Sequence, residues 1–298
     1  MSVVVLPLPG AEAQAASLAQ LLDATAGSLE FRRFPDGESY YRIASDVSDC
    51  DVVVVGALRD PDPLALGLWY VADTAREMGA RRIGLVAPYL PYMRQDARFR
   101  DGEAVTSRSF GRFVSQAFDW LVTVDPHLHR YPTLDIVYSI PSVVVPSAPA
   151  IARWLQANVT RPVVIGPDSE SEQWAGDVAR RVGCPSQVLT KTRLGDRHVE
   201  ISLPEPGLAE GRQPVLVDDI ISSGHTMAEA VRHVRSAFGA APLCVGVHAL
   251  FAPEARRLLL DAGASQVLTC NTVPDASNAV DVLPDIAAAV RPLLQAGA

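Results

Sequence analysis

The stretch best equipped for chemistry is Val215-Leu216-Val217-Asp218-Asp219-Ile220-Ile221-Ser222-Ser223-Gly224-His225-Thr226. An apolar strand ends in two carboxylates, and a short Ser/Gly turn then opens a helix. The turn's amides and the hydroxyls of Ser222, Ser223 and Thr226 would face a phosphate at the helix N-terminus, where amides and dipole favour an anion. Gly224 and His225 complete the turn. Asp218 and Asp219 can accept hydrogen bonds from vicinal hydroxyls, so the motif reads as a ribose-phosphate cradle. The plainer alternative is that both aspartates only cap the helix.

A second signal is scarcity. Of 26 basic residues, 25 are arginine, and Lys191 is the only lysine. A position that keeps lysine under such a bias suits a compact, flexible ammonium better than a planar fork. Chance survival under a compositional drift is the alternative. Lys191-Thr192-Arg193 follows a segment at 186–189 that reads as a strand, and it opens the polar stretch 194–198.

These residues need a frame, and the sequence supplies one. Short apolar runs at 3–6, 52–55, 83–87, 121–124, 143–145, 163–165, 215–217, 245–247 and 267–269 read as strands buried on both faces. Helical patterns lie between them at 11–23, 63–78, 104–118, 148–158, 172–182, 226–238, 253–262 and 285–294. Strand and helix alternating over the whole chain predict an α/β fold with mainly parallel sheets flanked by helices. The proline-rich segment 141–149 is the best boundary, giving two domains of similar size, 1–145 and 146–298. The same plan recurs on either side, as an old duplication would leave it.

The phosphate turn resembles the ribose-5-phosphate loop of the phosphoribosyltransferase fold, although His225 stands where a second glycine is usual. Other segments narrow the resemblance to the ribose-phosphate diphosphokinases. Phe34-Pro35-Asp36-Gly37-Glu38 looks like their nucleotide-contacting loop. So does Pro88-Tyr89-Leu90-Pro91-Tyr92-Met93-Arg94-Gln95-Asp96, which is closer to the archaeal-type members. The resemblance implies that Phe34, from a neighbouring subunit, and Arg94 stack on the two faces of the ATP adenine. Asp36 and Glu38 would read its polar edge, with Gln95 and Asp96 beside them. Val124-Asp125-Pro126-His127-Leu128-His129 and Gly166-Pro167-Asp168 match the segments that place Mg2+ through His127 and Asp168, sparse ligation being normal when phosphates carry the ion. Lys191-Thr192-Arg193 matches the K-x-R of the family's catalytic loop, which closes over the phosphates, neutralises charge and excludes water.

One segment departs from the family. After Asp168 it has small residues, often a glycine pair, whereas this chain reads Ser169-Glu170-Ser171-Glu172. The acids are expected to face solvent while Ser169 and Ser171 donate to the ligand. The motifs occur in family order over nearly the whole chain and imply two tandem phosphoribosyltransferase-like domains that make phosphoribosyl pyrophosphate from ATP and ribose 5-phosphate. A phosphoribosyltransferase and a catalytically silent relative are the alternatives.

Net charge −8 and pI near 5.3 exclude a general nucleic-acid binder, whose footprint is a basic face. Four scattered cysteines without a CxxC pair fit reduced thiols in a cytoplasmic protein. The N-terminal run Val3-Val4-Val5-Leu6 is far shorter than the ~20 residues that span a bilayer. A base held by a neighbour's Phe34 requires a homo-oligomer, at least a dimer.

Overall fold

The computed structural model describes residues 2–189, 191–193, 199–201, 208 and 210–296, with backbone alone at 191–193 and 199–201. Its contacts divide the chain into two compact units, Met1–Val145 with Leu283–Ala298, and Pro146–Val282.

In the first unit, β1 (Val3–Pro7) leads through α1 (Glu12–Leu21) to β2 (Thr25–Ala26). A hairpin of β3 (Leu29–Arg33) and β4 (Ser39–Ile43) follows. Then come β5 (Asp51–Val55), α2 (Asp62–Glu77), β6 (Arg82–Val86), α3 (Thr106–Ala117), β7 (Trp120–Val124) and β8 (Ser142–Val145). All but the hairpin strands form one parallel sheet in the order β2-β1-β5-β6-β7-β8. Continuous valine runs survive only where helices cover both faces of such a sheet, and Val52, Val53, Val54 and Val55 are each 0% exposed. Where β6 meets β7, Gly84 pairs with Trp120 and leaves the space its indole fills; a Cβ there would overlap the ring.

The second unit runs α4 (Ala148–Asn158), β9 (Pro162–Gly166), α5 (Glu172–Val182) and β10 (Ser186–Val188). A second antiparallel hairpin pairs β11 (Lys191–Arg193) with β12 (Val199–Ile201). After it come β13 (Gln213–Ile221), α6 (His225–Phe238), β14 (Leu243–Ala249), α7 (Ala255–Ala262), β15 (Gln266–Cys270) and β16 (Asn278–Val280). Its parallel sheet has the order β10-β9-β13-β14-β15-β16. That is the first sheet's order repeated, with a hairpin inserted at the same point of each. Two mainly parallel sheets flanked by helices are therefore present, as the alternation of elements predicts.

The last helix, α8 (Leu283–Gln295), was placed by the sequence with the second domain. It packs instead against α1, β7 and β8 and so completes the first unit. Arg82 caps its end, donating to the carbonyls of Leu293 at 3.0 Å and Leu294 at 2.8 Å. The same guanidinium meets Asp51 at 2.9 Å, and Arg81 meets it at 2.7 Å. Asp51 is 2% exposed. Burial alone would raise its pKa, but the hydrogen bonds and charges of the two arginines outweigh that and hold it below the usual carboxylate range. No helix among the described residues is long and apolar enough to cross a membrane.

Candidate active site

In an open parallel sheet, ligands bind beyond the carboxyl ends of the strands at the point where the strand order reverses. In the second unit that point lies between β9 and β13, since the chain goes out from β9 to β10 and then returns to the other side. The two loops that leave β9 and β13 there carry Asp168 and the Ser222–Thr226 turn.

Strand β13 runs on to Ile221, beyond its expected end, and carries both aspartates in its last residues. Asp219 is buried and Asp218 half-buried. Asp218 Oδ1 accepts the Asp219 amide at 3.1 Å. Burial first, then repulsion from Asp219 and Asp168, pushes the Asp218 pKa well above the usual carboxylate range, with Glu170 adding to the effect. Carboxylates that repel one another in partial shelter from water are ready acceptors for a ligand's hydroxyl groups, whose hydrogen bonds relieve the repulsion.

The turn itself needs one glycine. Gly224 adopts φ +77°, and a Cβ there would press on the Ala255 carbonyl at 3.3 Å. His225 is the first residue of α6 and needs no left-handed backbone. Its presence in place of a second glycine therefore does not stiffen the turn. Among the described residues no side chain caps α6, which leaves its first amides to a ligand at the strand ends, next to Ser222, Ser223 and Thr226.

The 169–172 departure resolves into a one-turn 3₁₀ helix, Ser169–Ser171, capped by Asp168. The Asp168 carboxylate accepts the Glu170 amide at 3.0 Å, and the Ser171 hydroxyl donates to the Asp168 carbonyl at 2.6 Å. The expectation for Ser171 is thus corrected: it is fully buried and ties the turn down instead of facing a ligand. Glu170 and Glu172 are exposed. The turn replaces backbone freedom with a capping box, which holds Asp168 in one orientation.

In the first unit the candidate residues fall on three loops. Phe34, Asp36 and Glu38 form the exposed tip of the β3–β4 hairpin, closed by Phe34 N–H to the Glu38 carbonyl at 2.8 Å and by Gly37 at φ +94°. The Asp36 carboxylate accepts the Glu38 amide at 3.2 Å.

Arg94 lies exposed after β6, between the anchored Met93 and Asp96, whose side chains are buried. Tyr92 holds a left-handed backbone at φ +63°, an uncommon state for a residue with a Cβ. Its hydroxyl bonds Asp62, and its ring packs on Phe110 at 4.8 Å between centroids. Gln95 accepts from Thr106 at 3.2 Å. The Asp96 side chain, 2% exposed, faces Arg130 at 2.6 Å. The Asp96 carboxylate is therefore engaged within the protein, whereas Gln95 is half-buried and Arg94 exposed. Arg130 and Tyr131, which donates to the Asp96 carbonyl at 2.8 Å, are supports that the sequence reading missed. They lie 34 and 35 positions away, with no local pattern linking them.

After β7, Asp125 at φ +32° turns the chain, and His127 lies edge-on to His129 with centroids 4.0 Å apart. The side chains of Lys191 and Arg193 lie outside the described residues; their backbone forms β11. Among the described residues no group of three or more His, Cys, Asp or Glu is arranged to hold a metal ion by itself. An ion at Asp168 would bring further ligands with it, as Mg2+ does on phosphates.

A family model for the N-terminal domain of ribose phosphate pyrophosphokinase matches residues 3–117, and one for the phosphoribosyl transferase domain matches residues 139–285. The chain is 38% identical over 279 residues to a ribose-phosphate pyrophosphokinase of Methanopyrus kandleri, covering 93% of this chain and 94% of that one. It is 34% identical over 270 residues to another from Sulfolobus acidocaldarius, covering 89% and 91%. The phosphoribosylpyrophosphate synthetase of Mycobacterium smegmatis matches with a TM-score of 0.85 over 100% of both chains; at 23% identity this is a likeness of fold.

Proposed function

Because the chain belongs to the ribose-phosphate pyrophosphokinase family, we propose that it transfers the diphosphate of Mg-ATP to the C1 hydroxyl of ribose 5-phosphate, giving phosphoribosyl pyrophosphate and AMP. The observation that carries this reading is the second unit's cradle, in which crowded carboxylates at the end of β13 adjoin a Gly224 turn and the open amides of α6.

In this reading the 5-phosphate sits on the amides of the turn, with Ser222, Ser223, Gly224, His225 and Thr226 around it. Asp218 and Asp219 take the 2- and 3-hydroxyls. Phe34 and Arg94 stack on the adenine, with Asp36 and Glu38 at its polar edge and Gln95 beside them, while buried Asp96, paired with Arg130, anchors the segment that carries Arg94. Bound Mg2+, carried mainly by the nucleotide phosphates and placed by His127 and Asp168, supplies positive charge to the triphosphate.

The C1 oxygen attacks the β-phosphorus, and the bond from that phosphorus to the oxygen bridging it to the α-phosphorus breaks. AMP leaves with the bridging oxygen, and the hydroxyl proton goes to solvent. Positioning and charge stabilisation dominate such transfers, so the protein needs no nucleophile of its own. Lys191 and Arg193 neutralise the transferring and leaving groups, a role that rests on the family resemblance. The protein works as a cytoplasmic homo-oligomer in which Phe34 serves a neighbour's nucleotide.

A phosphorus NMR time course with purified protein, ATP, ribose 5-phosphate and Mg2+ tests the proposal. AMP appearing together with a diphosphate on C1 of ribose supports it. Bound but unchanged ATP refutes it in favour of a silent relative.

A further inference from the structure

The β3–β4 hairpin has two unlike faces, because side chains alternate along each strand. Phe31 and its cross-strand partner Tyr41 share one face, where Tyr41 packs on Tyr70 and over Gly67 of α2. Glu30, Arg32 and their partners Arg42 and Tyr40 share the other. Phe34 follows Arg32 by two positions and joins this second face at the tip.

On that face Glu30 and Arg42 pair with each other. Among the described residues Arg32 makes no such pair; its guanidinium lies between two rings, 4.5 Å from the centroid of Phe34 and 4.4 Å from that of Tyr40. Tyr40 also meets Phe34 at right angles, with centroids 6.4 Å apart. A phenyl ring at 38% exposure on a hairpin tip would ordinarily sample several rotamers. Here a cation covers one of its faces and a second ring closes one edge. What remains accessible is the opposite face.

Resting on the reading that Phe34 stacks on the nucleotide base, we propose that Arg32 is a positioning residue for Phe34. With Tyr40 it clamps the ring so that a single face is offered to the purine, which spares the complex the cost of freezing the side chain on binding. The guanidinium also draws on the ring's π-density from behind, through the same attraction that holds it there.

The test is a double-mutant cycle on the full-length enzyme, reading KM for ATP and kcat separately. Phe34→Ala should raise KM for ATP at least tenfold. Arg32→Gln should raise it about three- to tenfold with a smaller change in kcat, the scale of one or two exposed cation–π contacts. Arg32→Lys, which keeps the cation but loses the planar fork, should recover part of the difference. In the Phe34→Ala background, Arg32→Gln should have no further effect, since its only route to the nucleotide is then gone.

If the two losses instead multiply, Arg32 acts on the nucleotide directly and the positioning role is overturned while the stacking of Phe34 stands. If Phe34→Ala leaves KM for ATP unchanged, the stacking reading falls and the proposal falls with it. Circular dichroism spectra and melting curves matching the parent protein keep these outcomes free of a folding defect.

Discussion

Replacing Asp51 with asparagine should unfasten the first unit from within. The carboxylate is 2% exposed and bonded to Arg81 and Arg82, and Arg82 in turn caps the end of α8. Removing one partner from a buried pair costs ~3–5 kcal/mol. Here the arginines keep 33% and 22% of their side chains exposed, so water takes up part of the loss. Asparagine also still accepts a hydrogen bond. These discounts bring the expected cost to ~2 kcal/mol at pH 7, or about 4–8 °C in the first unit's melting temperature.

The cost should also depend on pH, with a definite sign. The folded-state pKa of Asp51 is depressed, so its stabilisation is complete above its unfolded value of ~3.9 and is lost as pH falls through the folded value. The gap between parent and Asp51→Asn should therefore be constant from pH 7 to 5 and close below pH 4. Urea unfolding can measure it, with Trp69 and Trp120 as reporters in a background where Trp154 and Trp174 are phenylalanine. Hydrogen exchange at the end of α8 should speed up in the same variant. A gap below ~0.5 kcal/mol at pH 7, the size of an ordinary surface substitution, would refute the reasoning, as would a gap that persists undiminished at pH 3.

Three further outcomes are expected. Gly224→Ala forces a Cβ into the left-handed region and against the Ala255 carbonyl, so it should cost ~1–3 kcal/mol and raise KM for ribose 5-phosphate, whereas His225→Gly should leave that KM within about twofold. Asp218→Asn should stabilise the ligand-free second unit while weakening ribose 5-phosphate binding. The raised folded pKa means that ionised Asp218 opposes folding, so the stability gain should grow as pH rises from ~4 and level off above the folded pKa, as melting curves across pH will show. Lys191→Ala should lower turnover by ~10²-fold or more with the fold intact, and near-parental turnover would remove Lys191 from the mechanism.

What the sequence makes legible is what is local in it. Val52, Val53, Val54 and Val55 announce a buried parallel strand because no other environment accommodates such a run. The Asp218–Thr226 motif is readable because strand end, carboxylates and helix start are contiguous. The β3–β4 hairpin went unforeseen: Leu29–Arg33 is mostly exposed and carries two adjacent arginines, so no buried period marks it as a strand. The ties of Asp51 to Arg81 and Arg82 span some 30 residues and have no signature along the chain. The destination of α8 was illegible for a related reason. Its buried stripe, Leu283, Ile286, Ala287 and Val290, would suit either sheet, and only packing decides between them. Ser171 was misread because a serine beside a ligand loop can serve the ligand or the loop, and a capping box is visible only in three dimensions.

The return of α8 to the first unit has a consequence for how the protein is born. On the ribosome, the surface of α1, β7 and β8 that α8 will cover emerges roughly 140 residues ahead of it. At ~5–20 residues per second that is a wait of about 7–28 s, during which the second unit is synthesised and free to fold. The unit that starts first thus finishes last. A nascent chain stalled, or a message cut, anywhere before residue 283 leaves an unsealed apolar surface for chaperones and proteases to find.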